Sequence, residues 1–154
     1  MARLEVGAKA PAFTLENQNG AKVALKDLAG ERIVLYFYPA DDTPGCTKEA
    51  CQFNDELSRI EALDVKVFGV SPDGAEQHVT FRKKYGLTFD LLSDPEKKVM
   101  EKYGAFGEKM MYGKKVIGVI RSTFVIGPTG KIEQAWYGVR TDGHAAKVLG
   151  SLED

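Results

Sequence analysis

Between residues 33 and 60 the hydrophobic pattern changes period, and that change dictates the centre of the fold. Ile33-Val34-Leu35-Tyr36-Phe37-Tyr38 is an unbroken apolar run. Rich in β-branched and aromatic residues, it reads as a strand buried on both faces. From Pro44 onward the apolar positions are Cys46, Ala50, Phe53, Leu57 and Ile60, spaced 4, 3, 4 and 3. That is one face of an amphipathic helix. Thr43 suits the N-cap and Pro44 the first helical position, so the helix is predicted from 43–44 to about residue 62. A polar turn, Pro39-Ala40-Asp41-Asp42-Thr43, joins strand to helix.

The remaining elements follow from the same periods. Short apolar patches at 13–15 and 22–25 flank Asn17-Gln18-Asn19-Gly20, a hairpin signal, and Asp27-Leu28-Ala29-Gly30 reads as a turn. Val65–Val70 is a strand closed by Ser71-Pro72-Asp73. A helix is predicted over 74–85, ending at Gly86, with Lys83 and Lys84 matched to its C-terminal dipole. Phe89–Leu92 is a short strand, and the next helix starts at Ser93-Asp94-Pro95, capped by Asp94 and stopped at Gly104. Residues 105–115 read as loop. Val116–Ile120 and Thr123–Ile126 are strands, joined to a third at 131–137 by the turn Gly127-Pro128-Thr129-Gly130, and a final helix covers 143–152.

With 154 residues and no repeat, linker or low-complexity tract, one domain over 1–154 is expected. The element order predicts an α/β fold: a central mixed β-sheet with helices on both faces and an N-terminal β-hairpin. The strands at 33–38 and 65–70 should be parallel through a right-handed crossover, and the later strands antiparallel. With a cysteine after a strand at a helix start, this arrangement is similar to the thioredoxin fold.

Composition excludes several functions. A net charge of -1 gives no surface for nucleic acid. No run approaches the roughly 18 apolar residues of a membrane span. Arg3, Glu5 and Lys9 interrupt the stretch that a signal peptide would need apolar, so a cytoplasmic location is expected. Two cysteines cannot build a disulfide framework. In the cytosol a bond between them would be transient and catalytic.

Cys46 falls in the first helical turn, where unpaired N–H groups and the positive end of the helix dipole favour a thiolate. The thiolate is the nucleophile, so the position argues for reactivity. Thr43, three residues earlier, can bring its hydroxyl toward the same sulfur, while Pro39 and Pro44 stiffen the turn. The competing reading is a small, inert core cysteine. Placement at a helix start, the polar turn and the second thiol at Cys51 weigh against it.

Pro39-x-x-x-Thr43-x-x-Cys46 matches the active-site signature of the peroxiredoxins. The longer run from Tyr38 to Asp55, with Asp-Asp-Thr-Pro-Gly-Cys-Thr-x-Glu-Ala-Cys-x-Phe, resembles the peroxiredoxin Q branch, also called bacterioferritin comigratory protein. The likeness continues through Arg121-Ser122-Thr123-Phe124-Val125-Ile126 and Gly143-His144, and so spans essentially the whole chain. It implies a thiol peroxidase for hydrogen peroxide and organic hydroperoxides, with Cys46 as the peroxidatic cysteine that becomes a sulfenic acid. Thr43 would hydrogen-bond the peroxide, Arg121 would activate the thiolate and hold the substrate oxygens, and Pro39 would shield the sulfenate. Cys51 would resolve the sulfenic acid as an intramolecular disulfide, reduced in turn by thioredoxin or a similar dithiol protein. The branch is often monomeric, and a monomer is expected here. From the residues alone, Arg121 sits between two apolar runs at a strand boundary, where it reads equally as a solvated turn residue or as a cation reaching a cleft at the sheet end.

The spacing of the two cysteines adds a demand of its own. In a continuous α-helix, positions 46 and 51 differ by about 7.5 Å along the axis and about 140° around it, so their Cα atoms lie roughly 8.6 Å apart. A disulfide needs about 4.4–6.8 Å. The first turns of the helix must therefore unravel for the bond to form.

Other residues carry weaker readings. His78 is placed on an exposed helix and His144 near the start of the last one, both in surface or capping roles. Neither has ligand spacing to the cysteines, so no metal site and no cofactor is expected. Asp41 and Asp42 shape the turn rather than form an acid/base pair, Trp136 is core, and Met110-Met111-Tyr112 lies in the loop. Two other functions remain possible on this fold: general thiol–disulfide exchange, which usually uses Cys-x-x-Cys, and metal delivery, which needs a suitably placed histidine.

Overall fold

The computed structural model describes residues 3–153. The chain opens with strands β1 (Thr14–Asn17) and β2 (Lys22–Ala24), a short 3-10 helix (Leu25–Leu28) and β3 (Arg32–Phe37). Helix α1 (Pro44–Glu61), β4 (Val65–Ser71), α2 (Ala75–Tyr85), β5 (Asp90–Ser93) and α3 (Lys98–Lys102) follow. The last third holds β6 (Phe106–Met111), β7 (Lys114–Val119), β8 (Ser122–Ile126), β9 (Ile132–Tyr137) and α4 (His144–Glu153). Seven strands form one sheet in the order β2-β1-β5-β4-β3-β8-β9.

β3 lies near the middle of that sheet, parallel to β4 and antiparallel to β8. Its side chains alternate between two apolar layers, which is why the sequence shows an unbroken run. Val34, Tyr36 and Tyr38 pack with Cys46, Ala50, Phe53, Leu57 and Ile60 of α1 and with Ala145, Val148 and Leu149 of α4. Ile33, Leu35 and Phe37 pack on the other side with Val99, Met100 and Tyr103 around α3. Each fully buried large side chain contributes about 1.5–3 kcal/mol, so the stripe along α1 anchors the helix firmly from Phe53 onward. The mixed sheet, the α1 crossover and the N-terminal hairpin all match expectation. β1 joins the main sheet through β5.

Four local expectations need correction. The helix predicted from Ser93-Asp94-Pro95 begins only at Lys98, with Lys97 rather than Asp94 at its N-cap. Residues 105–115 are not loop: β6 and β7 form a separate two-stranded antiparallel sheet. Tyr112 (φ 53) and Gly113 (φ 77) both adopt the left-handed backbone of a tight hairpin turn. Tyr-Gly is an unusual pair for that turn. In β6 half of the residues are exposed and no apolar alternation marks the strand. Strand β7 accordingly pairs with β6 and lies outside the central sheet. Finally, Thr43 occupies the N-cap position of α1 but its side chain does not cap; its hydroxyl donates instead to the Ala40 carbonyl at 2.9 Å.

Candidate active site

The C-terminal end of β3 feeds the turn 38–43, and α1 starts immediately after it. Burial of Ala50, Phe53 and Leu57 on the helix face rotates Cys46 inward, where it is 1% exposed. Its thiol sits at the N-terminal turn of an 18-residue helix, where the helix dipole and unpaired N–H groups favour negative charge.

Arg121 supplies a second positive group. It follows β7 and directly precedes β8, and its carbonyl is tied down by the Val139 N–H. From there the guanidinium spans two partners on α1: Nη2 donates to Cys46 Sγ at 3.3 Å, and Nη1 donates to Glu49 Oε1 at 2.7 Å. Although burial works against the charge, Glu49 and Cys46 together raise the guanidinium's pKa, so it stays cationic. Gly45 lies beside this contact: a Cβ there would stand 3.4 Å from Arg121 Nη2, at the edge of ordinary van der Waals contact.

Glu49 is the residue that periodicity missed. It lies one turn after Cys46 and is fully buried, with its Oε2 lacking a hydrogen-bond partner among the described residues. Burial pushes its carboxyl up to about 7, against the opposing pull of Arg121. A sequence signal did exist, because an acidic residue interrupts the apolar stripe between Cys46 and Ala50. Lys109 on β6 belongs to the surroundings too. Its ammonium donates to the Val119 carbonyl at 2.6 Å, and burial and then Arg121 lower its pKa.

The other singled-out residues fall around this centre. Thr43 is exposed and Pro39 half-buried in the turn before α1. Because the Thr43 hydroxyl spends its proton on the Ala40 carbonyl, its oxygen remains free to accept a hydrogen bond. Cys51 lies on the flank of α1, half-buried, and both cysteines are free thiols. Desolvation, followed by nearby Asp55, raises the Cys51 pKa. Since α1 is continuous from Pro44 to Glu61, the two thiols are held apart by intact helix.

Both histidines correct the sequence reading. His78 is completely buried, with Nδ1 2.6 Å from Asp41 Oδ2 and Nε2 3.1 Å from the Leu92 carbonyl. His144 is 5% exposed, with Nε2 2.8 Å from Thr123 Oγ1 and its ring edge-on to Phe53 and Trp136. Burial, with help from Lys147 and Arg121, lowers the His144 pKa to about 4. In both cases the partners that satisfy the ring come from distant segments, which the neighbouring sequence does not reveal. Asp41 and Asp42 do shape the turn, and they do so by binding α2. Asp42 accepts from Lys84 Nζ at 2.8 Å and from the Tyr85 hydroxyl at 2.5 Å.

Comparison with known proteins shows the family. A family model described as the AhpC/TSA family matches residues 6–135. A putative peroxiredoxin of Mycobacterium tuberculosis is 54% identical over 150 residues, covering 97% of this chain and 96% of that protein. Peroxiredoxin Bcp of Bacillus subtilis is 43% identical over 151 residues, covering 98% and 96%. Among solved structures, the bacterioferritin comigratory protein of Xanthomonas campestris, studied for alkyl peroxide reduction in trapped intermediate/ligand complexes, has a TM-score of 0.89 at 38% identity. That match covers 97% of this chain and 98% of the other. The α/β, thioredoxin-like architecture is therefore shared with that protein.

Proposed function

The chain belongs to the AhpC/TSA family as a peroxiredoxin homologous to the Bcp and peroxiredoxin Q proteins, and from that premise we propose that Cys46 reduces hydrogen peroxide and organic hydroperoxides. The observation that carries the proposal is the Arg121 guanidinium bonded at once to Cys46 Sγ and Glu49 at the start of α1. A cation and a helix N-terminus beside one buried sulfur favour the thiolate. They also leave a positive region where negative charge develops on the departing oxygen.

In the first step the Cys46 thiolate attacks the proximal peroxide oxygen. An S–O bond forms as the O–O bond breaks, sulfur loses two electrons, and the leaving alkoxide or hydroxide takes up a proton to become alcohol or water. The free acceptor oxygen of Thr43 receives a hydrogen bond from the peroxide, and Arg121 stabilises the developing charge. Pro39, in the wall of the turn, limits access to the resulting sulfenic acid. Cys51 then attacks the sulfenic sulfur, water leaves, and a Cys46–Cys51 disulfide results. Thioredoxin or a similar dithiol protein returns both to thiols by exchange. Organic hydroperoxides are included because the related Xanthomonas campestris protein is described for alkyl peroxide reduction. We place the enzyme in the cytoplasm as a monomer.

The resolving step requires α1 to open, because helical spacing keeps positions 46 and 51 too far apart for a disulfide. Peroxide consumption with a thioredoxin system, measured for the parent, Cys46→Ser and Cys51→Ser, tests the scheme. Cys46→Ser should be inactive. Cys51→Ser should oxidise once and turn over poorly without added thiol. Full activity of Cys46→Ser would overturn the assignment.

A further inference from the structure

We propose that His78, acting through Asp41, is a positioning residue for peroxide reduction: it locks the turn that carries Thr43 into Cys46. The inference rests on the peroxidase reading and concerns a side chain outside the reacting site.

The geometry at His78 leaves little freedom. Its ring is fully buried and the Asp41 side chain is 5% exposed. The Leu92 carbonyl can only accept, so Nε2 must carry a proton. Nδ1 lies 2.6 Å from a carboxyl oxygen, a distance at which two lone pairs would repel, so a proton must sit between them too. Whichever atom holds it, the pair is a net-neutral, doubly hydrogen-bonded unit. Buried pairs of this kind become strongly unfavourable when one partner is removed, because the other is left unsatisfied.

Asp41 is saturated from every side. Its Oδ1 accepts from the Tyr38 hydroxyl, and its backbone N–H donates to Asp73 Oδ2 at 2.7 Å. Asp73 Oδ2 also accepts from Ser71 Oγ at 2.7 Å. Contacts from Tyr38 just after β3, Asp73 just after β4 and His78 on α2 therefore converge on one residue of the turn. The next residue, Asp42, takes a left-handed backbone (φ 60). Immediately before Asp41, the Ala40 carbonyl receives the Thr43 hydroxyl, and the Thr43 carbonyl accepts the Thr47 N–H of the first helical turn. His78 thus fixes Asp41, Asp41 fixes the turn, and the turn aims the Thr43 oxygen. Arg121, which donates to the sulfur, is held separately just before β8. The two functions are mechanically distinct: His78 governs substrate placement, and Arg121 governs the thiolate.

That separation gives the test. In a Cys51→Ser background, where only the first oxidation occurs, Cys46 oxidation by hydrogen peroxide is followed by rapid quench and mass spectrometry. Iodoacetamide alkylation against pH reads the thiolate independently of substrate placement. Asp41→Ala and His78→Ala are expected to slow oxidation roughly 10- to 100-fold, the scale of a misplaced reacting geometry, with the alkylation midpoint unmoved. Asp41→Asn keeps the shape, since its amide can donate to Nδ1 while its oxygen accepts from Tyr38. It should stay within about 3-fold of the background protein. His78→Ala empties core volume, so Asp41→Ala, which removes few atoms, decides the matter should the former not fold.

Parent-like oxidation in Asp41→Ala would overturn the inference. So would an equal fall in oxidation and alkylation, the mark of general disruption, or an Asp41→Asn protein as slow as Asp41→Ala. A background protein that peroxide does not oxidise at all would instead refute the peroxidase reading, and this inference with it.

Discussion

Glu49 and Arg121 form a buried ion pair in which only half of the carboxylate is satisfied: Oε1 receives Nη1 at 2.7 Å, while Oε2 has no partner among the described residues. The pair sits one helical turn behind the Cys46 sulfur. It holds the guanidinium in place, at the cost of a carboxylate that burial disfavours.

A pH dependence of stability follows. Burial raises the Glu49 pKa from 4.5 to about 7, so between those values the folded state holds a proton that the unfolded state has released. Stability from this group is full below about pH 4.5 and declines as pH rises toward 7, by at most about 3 kcal/mol. Glu49→Gln removes that dependence. Urea unfolding of both proteins at pH 5 and pH 8 should show the variant gaining on the parent at the higher pH, and a constant difference would contradict the assignment.

Arg121→Met should slow Cys46 oxidation by about 10²-fold, the usual loss for one preorganised charge donor. Unlike the Asp41 variants, it should also slow iodoacetamide alkylation of Cys46, because it removes the Nη2 donor from the sulfur. Arg121→Lys, with a single charged head, cannot hold Cys46 and Glu49 together in a fork, and should resemble Arg121→Met more than the parent. Rapid-mixing rates of sulfenic acid formation would check both.

Oxidation should loosen α1 locally. Amide exchange over residues 44–54 is expected to be slow in the reduced protein and fast in the disulfide form, with 57–61 protected in both because Leu57 and Ile60 are buried in the core. Cys51→Ser treated with one equivalent of peroxide should keep its protection. Equal, strong protection across 44–54 in both redox states would rule out opening of the helix.

His144 should titrate near pH 4 in the reduced protein. Its folded pKa lies below the ordinary 6.5, so the folded state binds fewer protons in that window and this residue's contribution to stability grows as pH rises from 4 to 6.5. The effect runs opposite to that of Glu49. With only two histidines in the chain, ring resonances followed by NMR against pH would assign it directly.

Much of the frame could be read in order along the chain. The apolar run 33–38 predicted the central strand, and the 4-3-4-3 spacing from Cys46 to Ile60 predicted a helix whose observed span is Pro44–Glu61. Both signals are local: period and burial follow from which faces a single element presents. The motif around Pro39, Thr43 and Cys46 pointed to the peroxiredoxin family, which comparison with known proteins shows, because a motif confined to eight consecutive residues is itself a local signal.

What the local signals could not carry was partnership across the chain. Nothing next to His78 says that it will lie beneath Asp41, 37 positions earlier, with its other nitrogen on the Leu92 carbonyl. The β6 half of the β6–β7 hairpin was equally hidden, because Phe106–Met111 shows no apolar alternation and the turn is a Tyr-Gly pair. Glu49 looked like one more charge on a helix until Arg121, 72 residues later, folded over it. The chain alone therefore determined where the candidate thiol would stand, in the first turn of α1. Only the tertiary structure decided which buried charges and hydrogen bonds hold it there, because a polar group can enter a core only where distant segments supply its partners.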